Sequence, residues 1–161
     1  MDGIYSSLFS DLDEFYSLAE AQFKARFALT FATVELASGT VVGSTRYRAI
    51  ETAHKRLEIG STFIAQSWQR THVNTEAKLL MLQHAFEQWK FNRVEFLTDI
   101  LNKKSRVAIA RLGAKEEGIL RSHMVMRDGR IRDSVLFSIV ADEWRQLKVC
   151  LEALLNGQLG T

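Results

Sequence analysis

Cysteine is almost missing from this chain. The one thiol, Cys150, cannot close a disulfide within the chain, which fits a reducing, cytoplasmic setting. No apolar run approaches the roughly 18 residues that a membrane helix needs. The opening residues MDGIYSSLFSDLDE are acidic and carry no basic stretch followed by an apolar one, so they do not read as a secretory signal. A large excess of either charge is also missing. The formal net charge of +2 is too small to argue for nucleic acid as the main partner. Proline is absent altogether, which by itself excludes no fold. Linkers, repeats and low-complexity segments are absent too. Residues 1–161 are therefore expected to form a single domain with a sizeable core.

What is present is ordinary for a globular protein: 47% hydrophobic and 25% charged residues. From about Asp11 to Arg26, the residues Leu12, Phe15, Tyr16, Leu18, Ala19 and Phe23 fall close to helical spacing. FALTFATVEL and TVVGSTRYRAI, both rich in β-branched and aromatic residues, flank a short ASG gap and read as a hairpin. RLEIGSTFIA is a third strand. From Thr75 to Lys90 the spacing of Leu79, Leu82, Phe86 and Trp89 predicts a long helix with one apolar face. RVEFLTDIL is a strand. NKKSRVAIARLG is a short helix with Asn102 as N-cap and Gly113 as its stop. EEGILRSHMVM and RIRDSVLFSIV flank an Asp-Gly pair, a strong hairpin signal. ADEWRQLKVCLEALL is a closing amphipathic helix. The order α, β, β, β, α, β, α, β, β, α predicts a mixed α/β fold, with a parallel pair where a strand leads through the long helix to the next strand.

One stretch raises a chemical question. SWQRTHVNTEA joins the third strand to the long helix, a placement that presents backbone N–H groups to a phosphate. Such turns usually recruit glycine, and this one has none. Four phrases in their order resemble the GNAT superfamily of acyl-CoA N-acyltransferases, closest to the branch of ribosomal-protein N-terminal acetyltransferases. VVGSTRYRAI is similar to that branch's third strand. RLEIGSTFIAQSWQRTHVNTEAKLLML is similar to its fourth strand, phosphate loop and long helix. RVEFLTDILNKKSRVAIARLGAKEEGILRSHMVM matches the fifth strand, short helix and sixth strand, and DGRIRDSVLFSIVADEW the final hairpin and helix. The likeness runs from about Phe27 to the C-terminus. It implies a mostly antiparallel, twisted sheet with helices on both faces, acetyl-CoA as cosubstrate, and transfer of the acetyl group to a primary amine by direct attack.

The resemblance also implies site residues. The family's phosphate loop, Gln/Arg-x-x-Gly-x-Gly/Ala, falls here on Gln69, Arg70, Thr71, His72, Val73 and Asn74. His72 and Asn74 replace the two small residues. A cradle needs N–H groups, which every residue but proline keeps, and Asn tolerates left-handed angles. An ordinary loop capping a helix is the alternative. Asn102 corresponds to the family's pantetheine-binding Asn and Ser105 to a Ser near the cofactor; a plain N-cap is the alternative for Asn102. Lys103, Lys104 and Arg106 lie in the first turn of that helix, where a bound anion would relieve them, or where they form a solvated basic face. Glu58 is the candidate base, or else an exposed carboxylate paired with Arg56 or Arg93. The thioester's backbone donor is expected within Ile59 to Phe63. The family's acid, a tyrosine, falls on Ile109, which leaves Ser105 as the nearest substitute.

His54, His84 and His123 stand singly and read as surface or core, so no metal site is expected. Cys150 reads as a buried structural thiol, and Trp68, Trp89 and Trp144 as packing residues. The family's first strand and helix have no counterpart ahead of Asp11. That leaves the apolar FALTFATVEL as an open edge and suggests a homodimer. A non-catalytic acyl-CoA-binding or interaction protein on the same scaffold is the alternative to an enzyme, and the amine is unnamed.

Overall fold

In the computed structural model, residues 12–24 and 27–157 are described. Helix α1 spans Leu12–Lys24 and strands β1 and β2 span Ala28–Glu35 and Thr40–Glu51. Strand β3 is Arg56–Ile64, helix α2 Val73–Gln83, strand β4 Arg93–Asp99 and helix α3 Lys103–Arg111. Strands β5 and β6 are Lys115–Val125 and Ile131–Val140, and helix α4 is Ala141–Leu155. They build a six-stranded sheet in the order β1-β2-β3-β4-β6-β5. Every neighbouring pair is antiparallel except β3 and β4, the pair joined through α2. This is the order of elements that the periodicity predicts.

The two faces of the sheet are separated by neighbouring residues of β2. The Tyr47 hydroxyl donates to the Met81 carbonyl of α2 at 2.6 Å. One residue earlier, Arg46 Nη1 donates to Gln22 Oε1 of α1 at 3.0 Å. Side chains alternate across a strand, so α1 and α2 lie on opposite faces. The α2 face carries the core: Leu57, Ile59, Leu79, Leu82, Phe86, Val94, Phe96, Ile109, Val135, Phe137, Ile139 and Trp144 pack as one cluster. Each such side chain contributes about 1.5–3 kcal/mol by leaving water. Helix α4 closes the cluster, with the Trp144 and Phe86 rings stacked 5.4 Å apart and Trp144 Nε1 donating to Glu87.

Several expectations are corrected. The long helix ends as an α-helix at Gln83, and a wider π-turn covers His84–Gln88. Trp89 therefore lies beyond the helix, yet it still packs against the core, 5.1 Å from the Tyr47 ring. Phe23, at helical spacing on α1, is exposed. The side chains of Leu12, Phe15, Tyr16 and Leu18 lie outside the described residues. Cys150 is exposed rather than buried, because the stripe of α4 that meets the core runs through Trp144, Leu147 and Leu151. Gly113, with φ +85°, does stop α3, and Asp128-Gly129 does make the β5–β6 turn, with Gly129 at φ +79°.

One buried group runs against the rest. Lys78, on the sheet-facing side of α2, is 4% exposed. Its Nζ donates to Thr45 Oγ1 and Thr62 Oγ1, each at 2.6 Å. Burial without a carboxylate partner lowers its pKa from 10.5 to about 7. The unfolded chain therefore binds a proton that the folded chain releases between about pH 7 and 10.5, and this lysine's penalty on stability shrinks as pH rises through that window. Lys78→Met is expected to be more stable than wild type at pH 7 in urea denaturation. Its advantage should shrink by about 2 kcal/mol between pH 7 and pH 9. A variant less stable at pH 7, or an advantage that grows with pH, would contradict this.

Candidate functional site

The parallel pair of strands opens partway along its length. β3 and β4 are in register at Arg56–Arg93, Leu57–Val94 and Glu58–Glu95, and the pairing ends there. Both strands continue, β3 held by β2 as far as Ile64 and β4 by β6 as far as Asp99. The result is a wedge between two strands whose facing backbone groups have no ladder partner. On the β3 side the backbone is also irregular. Ser44 faces Phe63 and Arg46 faces Gly60, so Thr45 stands against both Ser61 and Thr62. Ser61 takes the left-handed angle φ +48°. This is a β-bulge, which bends the strand and leaves the extra residue outside the ladder. It falls within the Ile59–Phe63 segment singled out for the thioester.

Glu58 lies at the mouth of the wedge and is buried, not an exposed strand carboxylate. The expected partners Arg56 and Arg93 go elsewhere: Arg56 holds Glu51 and Glu95, and Arg93 holds Glu95 and Glu117. Glu58 is paired instead with Arg48 of β2, Oε2 to Nε at 3.5 Å. The net effect is nonetheless a raised pKa. Burial is the larger influence and Glu95 adds to it, against the opposing pull of Arg48 and Arg132. A Cβ on Gly60 would lie 2.7 Å from Glu58 Oε1, so the absence of a side chain at 60 lets this carboxylate fold toward the bulge. The spacing Glu-x-Gly on a strand is the sequence signal for this arrangement.

The far end of the wedge is flanked by two helix N-termini. From β3 the chain passes through a tight turn at Gln66–Trp68 into α2. Gln69 Nε2 donates to the Ile64 carbonyl at 3.0 Å, and Thr71 Oγ1 donates to the Trp68 carbonyl at 2.8 Å. Val42, Ile64 and Val73, with Trp68 against them, clamp the loop to the sheet. The left-handed residue is Arg70, φ +64°, and not Asn74, which is the second residue of α2. His72 is the exposed N-cap residue at φ −64°, so no glycine is required at 72 or 74. The Asn74 Oδ1 atom is shielded from solvent with no hydrogen-bond partner among the described residues.

Across the wedge, β4 ends at Asp99, whose carboxylate accepts from the Leu101 N–H and from Arg130. These contacts hold its pKa below the ordinary value despite burial. Asn102 then caps α3, its Oδ1 accepting from the Ser105 N–H at 3.0 Å. Asn102 and Ser105 are half-buried, and Lys103 and Lys104 are exposed beside them. Ile109 is buried in the core, so no hydroxyl occupies that position. Glu58 stands apart from this group: from Glu95, its register partner, to Asp99 is roughly 13 Å at the usual rise per strand residue. The structure thus sets the loop 69–74 and Asn102/Ser105 at one end of the wedge and Glu58 near the other. An apolar groove of about 600 Å³ between β1 and α2, lined by Leu29, Phe31, Leu80 and Trp89, touches this set only at His72 and Val73.

A parallel pair that splays beside a β-bulge, with a helix N-terminus at each arm, is the geometry in which the sequence can be set against known proteins. Residues 8–115 match the family model described as "Acetyltransferase (GNAT) domain". This chain belongs to the GNAT acetyltransferase family. It is 29% identical over 109 residues to a Bacillus subtilis protein named "Putative ribosomal N-acetyltransferase YdaF", covering 68% of this chain and 58% of that relative. It is also similar in structure to a GCN5-related N-acetyltransferase from Brucella melitensis, with 36% identity and a TM-score of 0.82 over 89% of this chain and 64% of that one. A GNAT-family protein from Chromobacterium violaceum, described as a probable acetyltransferase, gives 32% identity and a TM-score of 0.78 over 85% and 68% of the two chains. The chain spans 58% of the length of the curated relative that it matches.

The Asn102 cap gives a local test. Asn102→Ala removes the acceptor for the Ser105 N–H and is expected to lower stability by about 1 kcal/mol, measured by urea denaturation. An unchanged midpoint would mean that the cap bond contributes nothing.

Proposed function

We propose that this GNAT domain is an acetyl-CoA-dependent N-acetyltransferase acting on a primary amine by direct attack. One observation carries the reading. The wedge between β3 and β4 begins beside Glu58, whose carboxylate folds over Gly60 toward the bulge at Ser61. Coenzyme A fits the far end by its chemistry. The N–H groups of the first turns of α2 and α3 have no partner within their helices, both ends are electropositive, and Arg70, Lys103 and Lys104 add cationic charge for the phosphates. Gln69 to Asn74 would hold the pyrophosphate, and Asn102 and Ser105 the pantetheine arm.

Acetyl-CoA supplies the acetyl group as a thioester, and the product amide forms as the thiol leaves. Glu58 would take the proton from the amine, directly or through one water, at a carboxylate made more basic by burial. A backbone N–H of the bulge would face the carbonyl oxygen, fixed in place before reaction. Ser105 is the hydroxyl nearest in role to the family's missing tyrosine.

The name of the Bacillus relative supports a protein N-terminal amine as acceptor. The lone cysteine supports a cytoplasmic setting. The exposed Phe27, Phe31 and Val34 beside the outer edge of β1 support a homodimer. Ile109, buried where the tyrosine would stand, favours a second reading, a domain that binds acyl-CoA without transferring it.

Saturating acetyl-CoA, at a hundredfold excess over Kd, is expected to stabilise the wild type by about 2.7 kcal/mol, and thiol release over a panel of amines should detect transfer. Glu58→Gln should keep the thermal shift and lose about 10²–10⁴-fold in rate. The wild-type rate should rise with pH through a value above the ordinary carboxylate range, a limb that the variant lacks. A full thermal shift with no thiol release from any amine would favour the non-catalytic reading. No shift at millimolar acetyl-CoA would leave the loop an ordinary helix cap.

A further inference from the structure

Lys78 is buried, and the proposed chemistry does not use it. Its position shows what it holds. Thr62 directly follows the left-handed residue of the bulge, and Thr45 is the β2 residue facing that bulge. Thr45 Oγ1 and Thr62 Oγ1 lie 3.0 Å apart, and Lys78 Nζ reaches both. The three side chains form a closed triangle, one corner on each of β2, β3 and α2. The Lys78–Thr45 bond is buried, where such a bond is stronger than in water, and the two bonds to Thr62 are partly buried. No charged neighbour contributes to the lysine's lowered pKa.

The triangle spans the two halves of the proposed coenzyme site. α2 begins five residues before Lys78, at the loop that would take the pyrophosphate. The bulge is where the thioester carbonyl would lie. A bulge lacks the ladder bonds that fix an ordinary strand, and this one is also unsupported on the β4 side, where pairing has ended. Thr62, beside it, is held by Thr45 of β2 and by Lys78, the contact that reaches it from helix α2.

We propose that Lys78 is a positioning residue that ties the β3 bulge to helix α2, so that the coenzyme's phosphate and thioester subsites keep a fixed separation. The proposal rests on the coenzyme reading above. It predicts a split between binding and turnover. Phosphate contacts, made by the loop and the helix N-termini, are independent of the triangle, whereas alignment of the carbonyl depends on it.

The test compares wild type with Lys78→Met, which keeps the length and apolar stem of the side chain. Backbone amide exchange is followed without ligand, and steady-state kinetics with acetyl-CoA and short peptides bearing a free α-amine. Lys78→Met is expected to speed exchange at residues 60–63 at least tenfold while leaving β4 unchanged. It should lower kcat about tenfold or more and change KM for acetyl-CoA less than twofold. Thr62→Val should reproduce both effects, and Thr62→Ser, which keeps the hydroxyl, neither. Unchanged exchange and kcat in Lys78→Met, alongside a wild type that binds and turns over acetyl-CoA, would overturn the role of Lys78 alone. A wild type that binds no acetyl-CoA would overturn the coenzyme reading and the role of Lys78 with it.

Discussion

Strands β3 and β4 are hydrogen-bonded through Glu58 and Glu95 and then part. A strand edge inside a sheet normally pairs along its whole length, because each backbone N–H and C=O left dry and unpaired carries a penalty comparable to a lost hydrogen bond. Here both strands continue past the break because their outer neighbours, β2 and β6, still pair with them. The opening is therefore built in, and it dictates what surrounds it. The chain after β3 must turn sharply into α2 and the chain after β4 into α3, so two helix N-termini arrive at the same opening. Gly60, the bulge at Ser61 and the Asn102 cap are local adjustments to that break.

The charged face of the sheet follows the same logic. Glu95, register partner of Glu58, is held by Arg56 and Arg93, and Arg93 also binds Glu117, which accepts from Ser138. This chain of ion pairs balances the second carboxylate beside Glu58. Glu58 has Arg48 at 3.5 Å and feels Arg132 as well, but burial prevails and its pKa is raised. Two buried groups, Glu58 and Lys78, thus have pKa values moved toward neutrality, one on each face of β3. Burying such groups lowers stability, and polar groups retained at that disadvantage tend to cluster where a fold departs from ideality for function.

Periodicity made most of the fold legible. The apolar stripe through Leu79, Leu82 and Phe86, the Asp-Gly turn and the Asn102 cap are local signals, and the structure follows them. The misreadings share one physical origin: they depend on contacts distant in sequence. Cys150 sits at helical spacing from apolar neighbours, but which stripe of α4 is buried was decided by Phe86 and Gly113. The partner of Glu58 was sought among Arg56 and Arg93, whereas antiparallel register with β2 brings Arg48. Asn74 is the loop residue that best tolerates a left-handed angle, yet loop geometry puts that angle on Arg70. A lysine on a helix ordinarily reaches water, so nothing local in the sequence marks Lys78 as buried. Only the register of Thr45 with the bulge reveals that it is.

The central claim is that the opening between β3 and β4 holds the acyl donor along its length, and chemical-shift mapping tests it directly. Backbone amide spectra of the full chain would be recorded with and without saturating acetyl-CoA. The account predicts that the largest changes fall in three separated stretches, residues 59–63, 69–76 and 102–106, and that β1 and its groove against α2 are little affected. Changes concentrated in that groove, with the three stretches silent, would contradict it.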